Sequence, residues 1–182
     1  MPTTEKKKYT DQDYTILEEG SPFQLIHYDL IISPSPGLLH QRILVRLANI
    51  IAFFSAIENS GEWFYAPTDV RFDDGNIYQP DILFISEERR AEIIKDRIEG
   101  APDLVIEILS PSNAYYDLRQ KKDIYEKYGV KEYIIFDPMQ ENADVYVLEN
   151  GIFVLKQKAG KTEQLTSVLL PGLIFGLEKI FI

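Results

Sequence analysis

Three side chains have the types and the spacing to act together on a phosphodiester: Asp81, Glu107 and Lys121. Glu107 interrupts D-L-V-I-E-I-L-S, residues Asp103–Ser110, an apolar run between Pro102 and Pro111 that reads as a strand buried on both faces. An ionised carboxylate in such a strand costs several kcal/mol to desolvate unless a cation, a metal or hydrogen-bond donors face it. Asp81 follows Pro80 and opens the next apolar run, Ile82–Ile85. If these two strands pair antiparallel, the start of the first lies beside the end of the second, and Asp81 approaches Glu107 at one edge of the sheet. Two carboxylates so placed repel, unless a divalent cation takes the place of a proton. Mg²⁺ suits such a site, because one or two carboxylates with water and substrate phosphate complete its shell.

The lysine comes from the helix expected over Ala114–Tyr128. At about 100° per residue, Leu118, Ile124, Tyr125 and Tyr128 define its apolar face, Lys121 falls near the middle of that face and Lys122 near its rim. A lysine centred on the face that packs over the Glu107 strand has the carboxylates as its destination. Snorkelling along an apolar stem to the surface is the alternative. Together the three residues specify phosphodiester hydrolysis. A cation between Asp81 and Glu107 polarises the phosphate and acidifies a bound water, while the Lys121 ammonium orients that water or stabilises the developing charge.

The elements that must position these residues follow from pattern. Thr10 and Asp13 mark the start of a short helix ending before Gly20. Phe23–Ile26 and Tyr28–Ile32 read as a hairpin, and Ser33–Gly37, S-P-S-P-G, breaks it. From Leu38 to about Glu58 a long helix places Leu44, Leu47, Ile51 and Phe54 on one stripe, and His40 extends that stripe inward by one turn. His40 is then a hydrogen-bonded histidine at a helix start or, on a sharper reading, a ligand or base. Strands are expected at Glu62–Ala66, Asp69–Phe72, Ile82–Ile85 and Val130–Phe136, and as a hairpin, Asp144–Leu148 with Ile152–Lys156, about Asn150-Gly151. The charged segment Ser86–Gly100 reads as a surface helix and loop whose charges are solvated. The fold class is α/β, an αβββαβ core with a mixed sheet flanked by helices and with β-hairpins added at the N- and C-terminal ends.

Composition bounds the rest. A chain of 182 residues with 45% hydrophobic content supports one domain, expected over residues 10–182 after a disordered tail at 1–9. No apolar run of about 18 residues and no signal-peptide core is apparent, so a soluble, cytoplasmic protein without a membrane partner is expected. With no cysteine, any metal sits on oxygen or imidazole. The net charge of -10 repels a phosphate backbone on average and argues against a DNA-coating protein, although a local cation can reverse the field where a phosphate sits. The apolar tail Leu173–Ile182 suits either a homodimer contact or a core edge.

Pro80-Asp81, P-D-L-V-I-E-I-L-S-P-S (Pro102–Ser112), D-L-R-Q-K (Asp117–Lys121), Tyr125 and G-V-K-E-Y-I-I-F-D-P (Gly129–Pro138) resemble the Uma2 family of the PD-(D/E)XK, restriction-endonuclease-like superfamily. The resemblance implies a metal-dependent endonuclease acting on DNA with one or two Mg²⁺ or Mn²⁺ ions. Asp81 and Glu107 are then both catalytic and metal-holding, and Lys121 is the catalytic amine. The superfamily's E-x-K is altered here, since Ile108 and Leu109 follow Glu107, and the lysine lies on the next helix instead. The family's S-P-x-P…H-Q segment is matched by Ser33, Pro34, Pro36, His40 and Gln41, which brings His40 towards the site. Gln24 stands in the first hairpin where many members carry an acid, and its amide is a weaker, uncharged ligand. Asp117 matches a family position from which it could orient the lysine, or serve as a helix cap or in an ordinary ion pair. A catalytically silent module that binds DNA or protein partners is the alternative function.

Overall fold

Uninterrupted apolar runs become inner strands, and alternating ones become strands with one wet face. A computed structural model describes residues 7–18, 20–33, 35–110 and 117–182, the side chains of 117 and 118 excepted. The elements are α1 (Asp11–Thr15), β1 (Phe23–Ile26), β2 (Asp29–Ile32), α2 (Leu38–Ser55), β3 (Gly61–Tyr65), β4 (Val70–Asp73), β5 (Asn76–Tyr78), β6 (Ile82–Ser86), α3 (Arg90–Ile93), β7 (Ile98–Glu99) and β8 (Leu104–Ile108). A π-helical turn, Asp117–Lys121, continues into α4 (Lys122–Tyr128). Then come β9 (Glu132–Asp137), β10 (Asn142–Glu149), β11 (Ile152–Gly160), β12 (Gln164–Thr166), β13 (Ile174–Gly176) and α5 (Leu177–Ile180).

Six strands in the order β11-β10-β9-β8-β6-β3 form the central sheet. β6 runs antiparallel to β3 and β8, with Ile82 opposite Ile106. β8 and β9 are parallel, with Glu107 opposite Ile135. The expected αβββαβ order is therefore α2, β3, β6, β8, the helix ending in α4, and β9. All five residues of β8 are buried, which explains a run without alternation. Gly129 closes α4 at φ 88°, a left-handed position that glycine occupies without a Cβ penalty.

The central sheet divides its side chains between two cores. Phe84, Leu104, Ile106 and Ile134 meet the α2 stripe Ile43, Leu47, Ile51 and Phe54 together with Leu173, Phe175, Leu177 and Phe181 from the C-terminal end. On the other face Leu83, Val105, Tyr133 and Ile135 meet Ile124 and Tyr125 of α4 and Val70, Phe72 and Tyr78 of a second sheet. Each large apolar side chain so buried stabilises the fold by about 1.5–3 kcal/mol.

The second sheet, β2-β1-β5-β4-β7, includes two strands that pattern did not reveal. β5 is only three residues long beside a turn signal, and β7 only two, too short for any periodicity. The charges of Ser86–Gly100 are not merely solvated. Arg89 pairs with buried Asp103 at 3.2 Å, and Arg97 with Asp11 of α1 at 2.7 Å. Such pairs join residues far apart in sequence, which a local pattern cannot register. At the N-terminus the Tyr9 N–H donates to the Tyr28 carbonyl at 2.8 Å, so Tyr9, expected in the tail, is held to the hairpin; residues 1–6 lie outside the described residues. The expected start of the helix at 114, with its caps Ser112 and Asn113, also lies outside them.

The C-terminal segment is a core edge. Leu173, Phe175, Leu177, Ile180 and Phe181 are buried, and Arg46 of α2 donates to the Ile180 carbonyl at 2.8 Å. Ile174 and Ile182 of the same segment stay exposed. Glu132, fully buried in β9, pins the loop after β12 by accepting from the Val168 and Leu169 N–H groups at 2.8 and 2.6 Å. Burial pushes its carboxyl above the usual range, against the pull of those donors. By length and mean hydropathy, 1.2, α2 is the one helix among the described residues able to cross a membrane, but its inward stripe packs on the sheet.

Candidate active site

Glu107 lies in β8 with 1% of its surface exposed, on the face covered by α4. Both of its carboxylate oxygens are 2.9 Å from the Lys121 Nζ, and the Tyr125 hydroxyl donates to Oε1 at 2.7 Å. Lys121 is 7% exposed and Tyr125 fully buried. The face arithmetic thus brings Lys121 to the acid that needed a partner, and snorkelling does not occur. Lys121 ends the π-helical turn, a local winding frequent at functional sites. Tyr125 stands four residues on, so one helix face presents an ammonium and a hydroxyl to the same carboxylate. Sequence reasoning took Tyr125 as apolar packing. Its i+4 spacing from Lys121 was the available signal.

Asp81 sits at the entry to β6. Antiparallel pairing with β8 sets it beside the end of that strand, where its Oδ2 accepts the Ile108 N–H at 2.7 Å. The same oxygen lies 3.1 Å from His40 Nε2. An ionised carboxylate only accepts, so His40 Nε2 is the donor in this contact. His40, 9% exposed, therefore reaches the site from α2 on the opposite face of the sheet, and its buried Nδ1 has no hydrogen-bond partner among the described residues. Asp81 Oδ1 makes no hydrogen bond among the described residues. The two acids are thus gripped from opposite layers, Asp81 by α2 and Glu107 by α4.

Gln24 of β1 is also in the cleft, but its polar atoms are occupied. Its Oε1 accepts the Gln79 N–H at 3.0 Å and its Nε2 donates to Ser33 Oγ at 3.1 Å. Gln79 in turn donates to Asp69, which also accepts from the Tyr14 hydroxyl, each at 2.9 Å. This polar chain was not visible in the sequence, because it joins four segments. The side chain of Asp117 lies outside the described residues.

Asp81, Glu107, His40, Gln24 and Lys121 line one cleft of about 1310 Å³. Its walls include Ser21-Pro22 and Ser35–Gly37 together with Ala66–Thr68 and Ile94–Glu99. The Tyr14 hydroxyl behind one wall is held un-ionised by burial and by the Asp69 charge, which push its pKa upward. Chemically, the base of the cleft offers an acid with an uncommitted oxygen, a second acid matched by an ammonium, and a histidine aligned on the first acid.

Comparison with known proteins bears on what such a cleft is for. Among curated proteins no relative matches this chain. Among solved structures, a protein titled a "putative nuclease belonging to DUF820" from Anabaena variabilis superposes with a TM-score of 0.76 at 19% identity, covering 94% of this chain and 97% of its own. At that identity the likeness speaks for the fold, a mixed α/β architecture shared over almost the entire length. The family model for Uma2, described as "Putative restriction endonuclease", matches residues 11–178 and so spans all three sheets, including the two-stranded pair β12–β13, and every residue of the cleft's base. On that match the chain belongs to the Uma2 family.

Proposed function

We propose that the protein is a metal-dependent endonuclease hydrolysing DNA phosphodiester bonds, with Asp81 and Glu107 as the metal-holding carboxylates and Lys121 as the amine at the reacting phosphate. The observation that carries this reading is the meeting of Asp81, His40, Glu107 and Lys121 at one end of β6 and β8. The donor set suits a hard cation. Mg²⁺ takes one or two carboxylates and fills its other positions with water and phosphate oxygens. The reading rests on these two acids alone, since among the described residues no group of three or more His, Asp or Glu is placed to hold a metal ion. One or two Mg²⁺ or Mn²⁺ ions, when bound, supply positive charge to the phosphate and a more acidic water.

The chain's own side chains divide the remaining work. His40 and the Ile108 N–H hold Asp81 Oδ2, which leaves Oδ1 as the oxygen that would hold the ion. Tyr125 fixes the Glu107 carboxylate in rotation. The Lys121 Nζ, 2.9 Å from Glu107 Oε1, would offer its donors to the negative charge that grows on the phosphate oxygens. A cytoplasmic location and a homodimer accompany this reading as separate expectations.

The test uses purified protein with Mn²⁺ and DNA. Wild type should nick the DNA only with the metal, and Asp81→Ala should abolish both nicking and the Mn²⁺-induced rise in Tm. Cleavage that survives Asp81→Ala belongs to a contaminant and counts against the proposal. The competing reading is a catalytically silent module that binds DNA or protein. It is favoured by the two-oxygen contact of Lys121, which already neutralises Glu107. Mn²⁺ binding in calorimetry that disappears in Glu107→Ala argues against the silent module.

A further inference from the structure

Resting on the nuclease reading, we infer that the cleft takes a DNA strand that is unpaired around the reacting phosphate, such as a single strand, flap or frayed end, in preference to continuous duplex. Depth is the first ground. Glu107 is 1% exposed and Lys121 7%, so a phosphate must descend between the walls to reach them. A duplex presents its phosphates on a thick, stiff, convex cylinder, whereas a single strand can fold a phosphate inward.

The wall carrying α1 is not free to swing aside. Asp11 is bonded to Arg71 and to Arg97, each at 2.8 Å, and the Tyr14 hydroxyl donates to the Phe23 carbonyl at 3.0 Å and to Asp69 at 2.9 Å. These contacts tie α1 to β1, β4 and the segment before β7, on both sides of the cleft.

Electrostatics is the second ground. The described lining carries six carboxylates, Glu18, Asp69, Asp81, Asp96, Glu99 and Glu107, against Lys95, Arg97 and Lys121. All three cations already bond within the protein, to Ala91, to Asp11 and Glu99, and to Glu107 respectively. Duplex binding draws much of its affinity from neutralising phosphates at a density of one charge per ~1.7 Å, and beyond the ions proposed at Asp81 and Glu107 the described lining has only these committed cations to neutralise them with. A single strand has a second source of affinity beside backbone neutralisation, the stacking of its exposed bases on aromatic rings, which a duplex with its bases paired and stacked lacks. The cleft offers one such ring in half-buried Phe64, with half-buried Leu17, Leu44 and Ile94 as further apolar lining. Its volume of about 1310 Å³ also exceeds the ~300–1,000 Å³ of sites for single small ligands, as several linked nucleotides require.

Fluorescence anisotropy of a labelled oligonucleotide, longer than the ~4–16 nucleotides a single-strand site covers, reads this directly. The full chain is titrated in Ca²⁺ with that oligonucleotide alone and with the same oligonucleotide annealed to its complement. The single strand should bind about tenfold or more tighter, and Phe64→Leu, which keeps apolar packing but removes the ring, should reduce that affinity about fivefold. Equal affinity, tighter duplex binding or no binding of either overturns the inference, and unchanged affinity in Phe64→Leu overturns the stacking surface. Cleavage is followed separately in Mn²⁺. A single strand that is preferred but uncut leaves the strand preference standing and removes the hydrolytic reading, whereas a duplex that is cut without preference does the reverse.

Discussion

Replacing Lys121 by methionine keeps a stem of similar length in the α4 face and removes only the charge that faces Glu107. Glu107 is then left 1% exposed with the Tyr125 hydroxyl but without the ammonium that touched both oxygens. Two outcomes compete. Keeping the carboxylate ionised costs about 3–5 kcal/mol, the usual loss when one partner of a buried ion pair is removed. Taking up a proton at pH 7 costs about 1.4 kcal/mol for each unit above the ~4.3 of an unfolded glutamate, or about 4 kcal/mol. The chain adopts the cheaper, so Lys121→Met should lose about 3–4 kcal/mol at pH 7. The sign with pH follows from linkage. A glutamate buried without its cation has a folded pKa raised above the unfolded one, so the stability of the variant is greatest below the unfolded value and falls as pH rises. At pH 5 the loss should shrink to about 1 kcal/mol. Urea unfolding followed by Trp63, the single tryptophan, which packs on Phe84 at 4.9 Å, measures this. The double variant Lys121→Met/Glu107→Gln should recover most of the loss. A Lys121→Met deficit below about 1 kcal/mol at pH 7, or a double variant no more stable than the single, would refute the pairing.

Two further outcomes are expected. His40→Ala should weaken Mn²⁺ binding by about 10–100-fold in calorimetry, the usual effect of losing a group that orients a ligating carboxylate, and His40→Gln, which can still donate an N–H, should restore part of it. Glu132→Gln keeps an acceptor for Val168 and Leu169 and removes a carboxyl whose folded pKa is raised by burial. The stability given by that raised pKa is fully present below the unfolded value and lost as pH rises through the folded one, so the variant should gain in urea midpoint over wild type between pH 5 and pH 7.5. A gap that narrows over that range counts against it.

The sequence was most informative where one residue contradicted its neighbours. Glu107 in an apolar run demanded a partner, and helical phase pointed to Lys121 even though its own turn is π-wound, because the α4 residues Ile124 and Tyr125 anchor the face. The direction of His40 was legible from the α2 stripe, but its partner was not, since Asp81 is reached only after the helix and sheet dock. Tyr125 hid in plain view, an aromatic ring that fills the core while its hydroxyl serves the site. The second sheet was half legible. β1, β2 and β4 have enough length to alternate, whereas β5 and β7 owe their pairing to neighbours already in place. The ion pairs Arg97 to Asp11 and Arg89 to Asp103 depend on tertiary proximity and leave no periodic trace.

Because α2 steadies one acid and α4 the other from opposite faces of the sheet, neither layer alone contains a finished centre. On the proposed reading this makes chemistry contingent on assembly. A nascent chain emerging up to β8 already carries both acids yet lacks the amine, and a mature chain that sheds either helix loses its alignment before its backbone is disordered. On that reading a nuclease built this way would be inactive while incomplete and would fall silent at the first loosening of either layer.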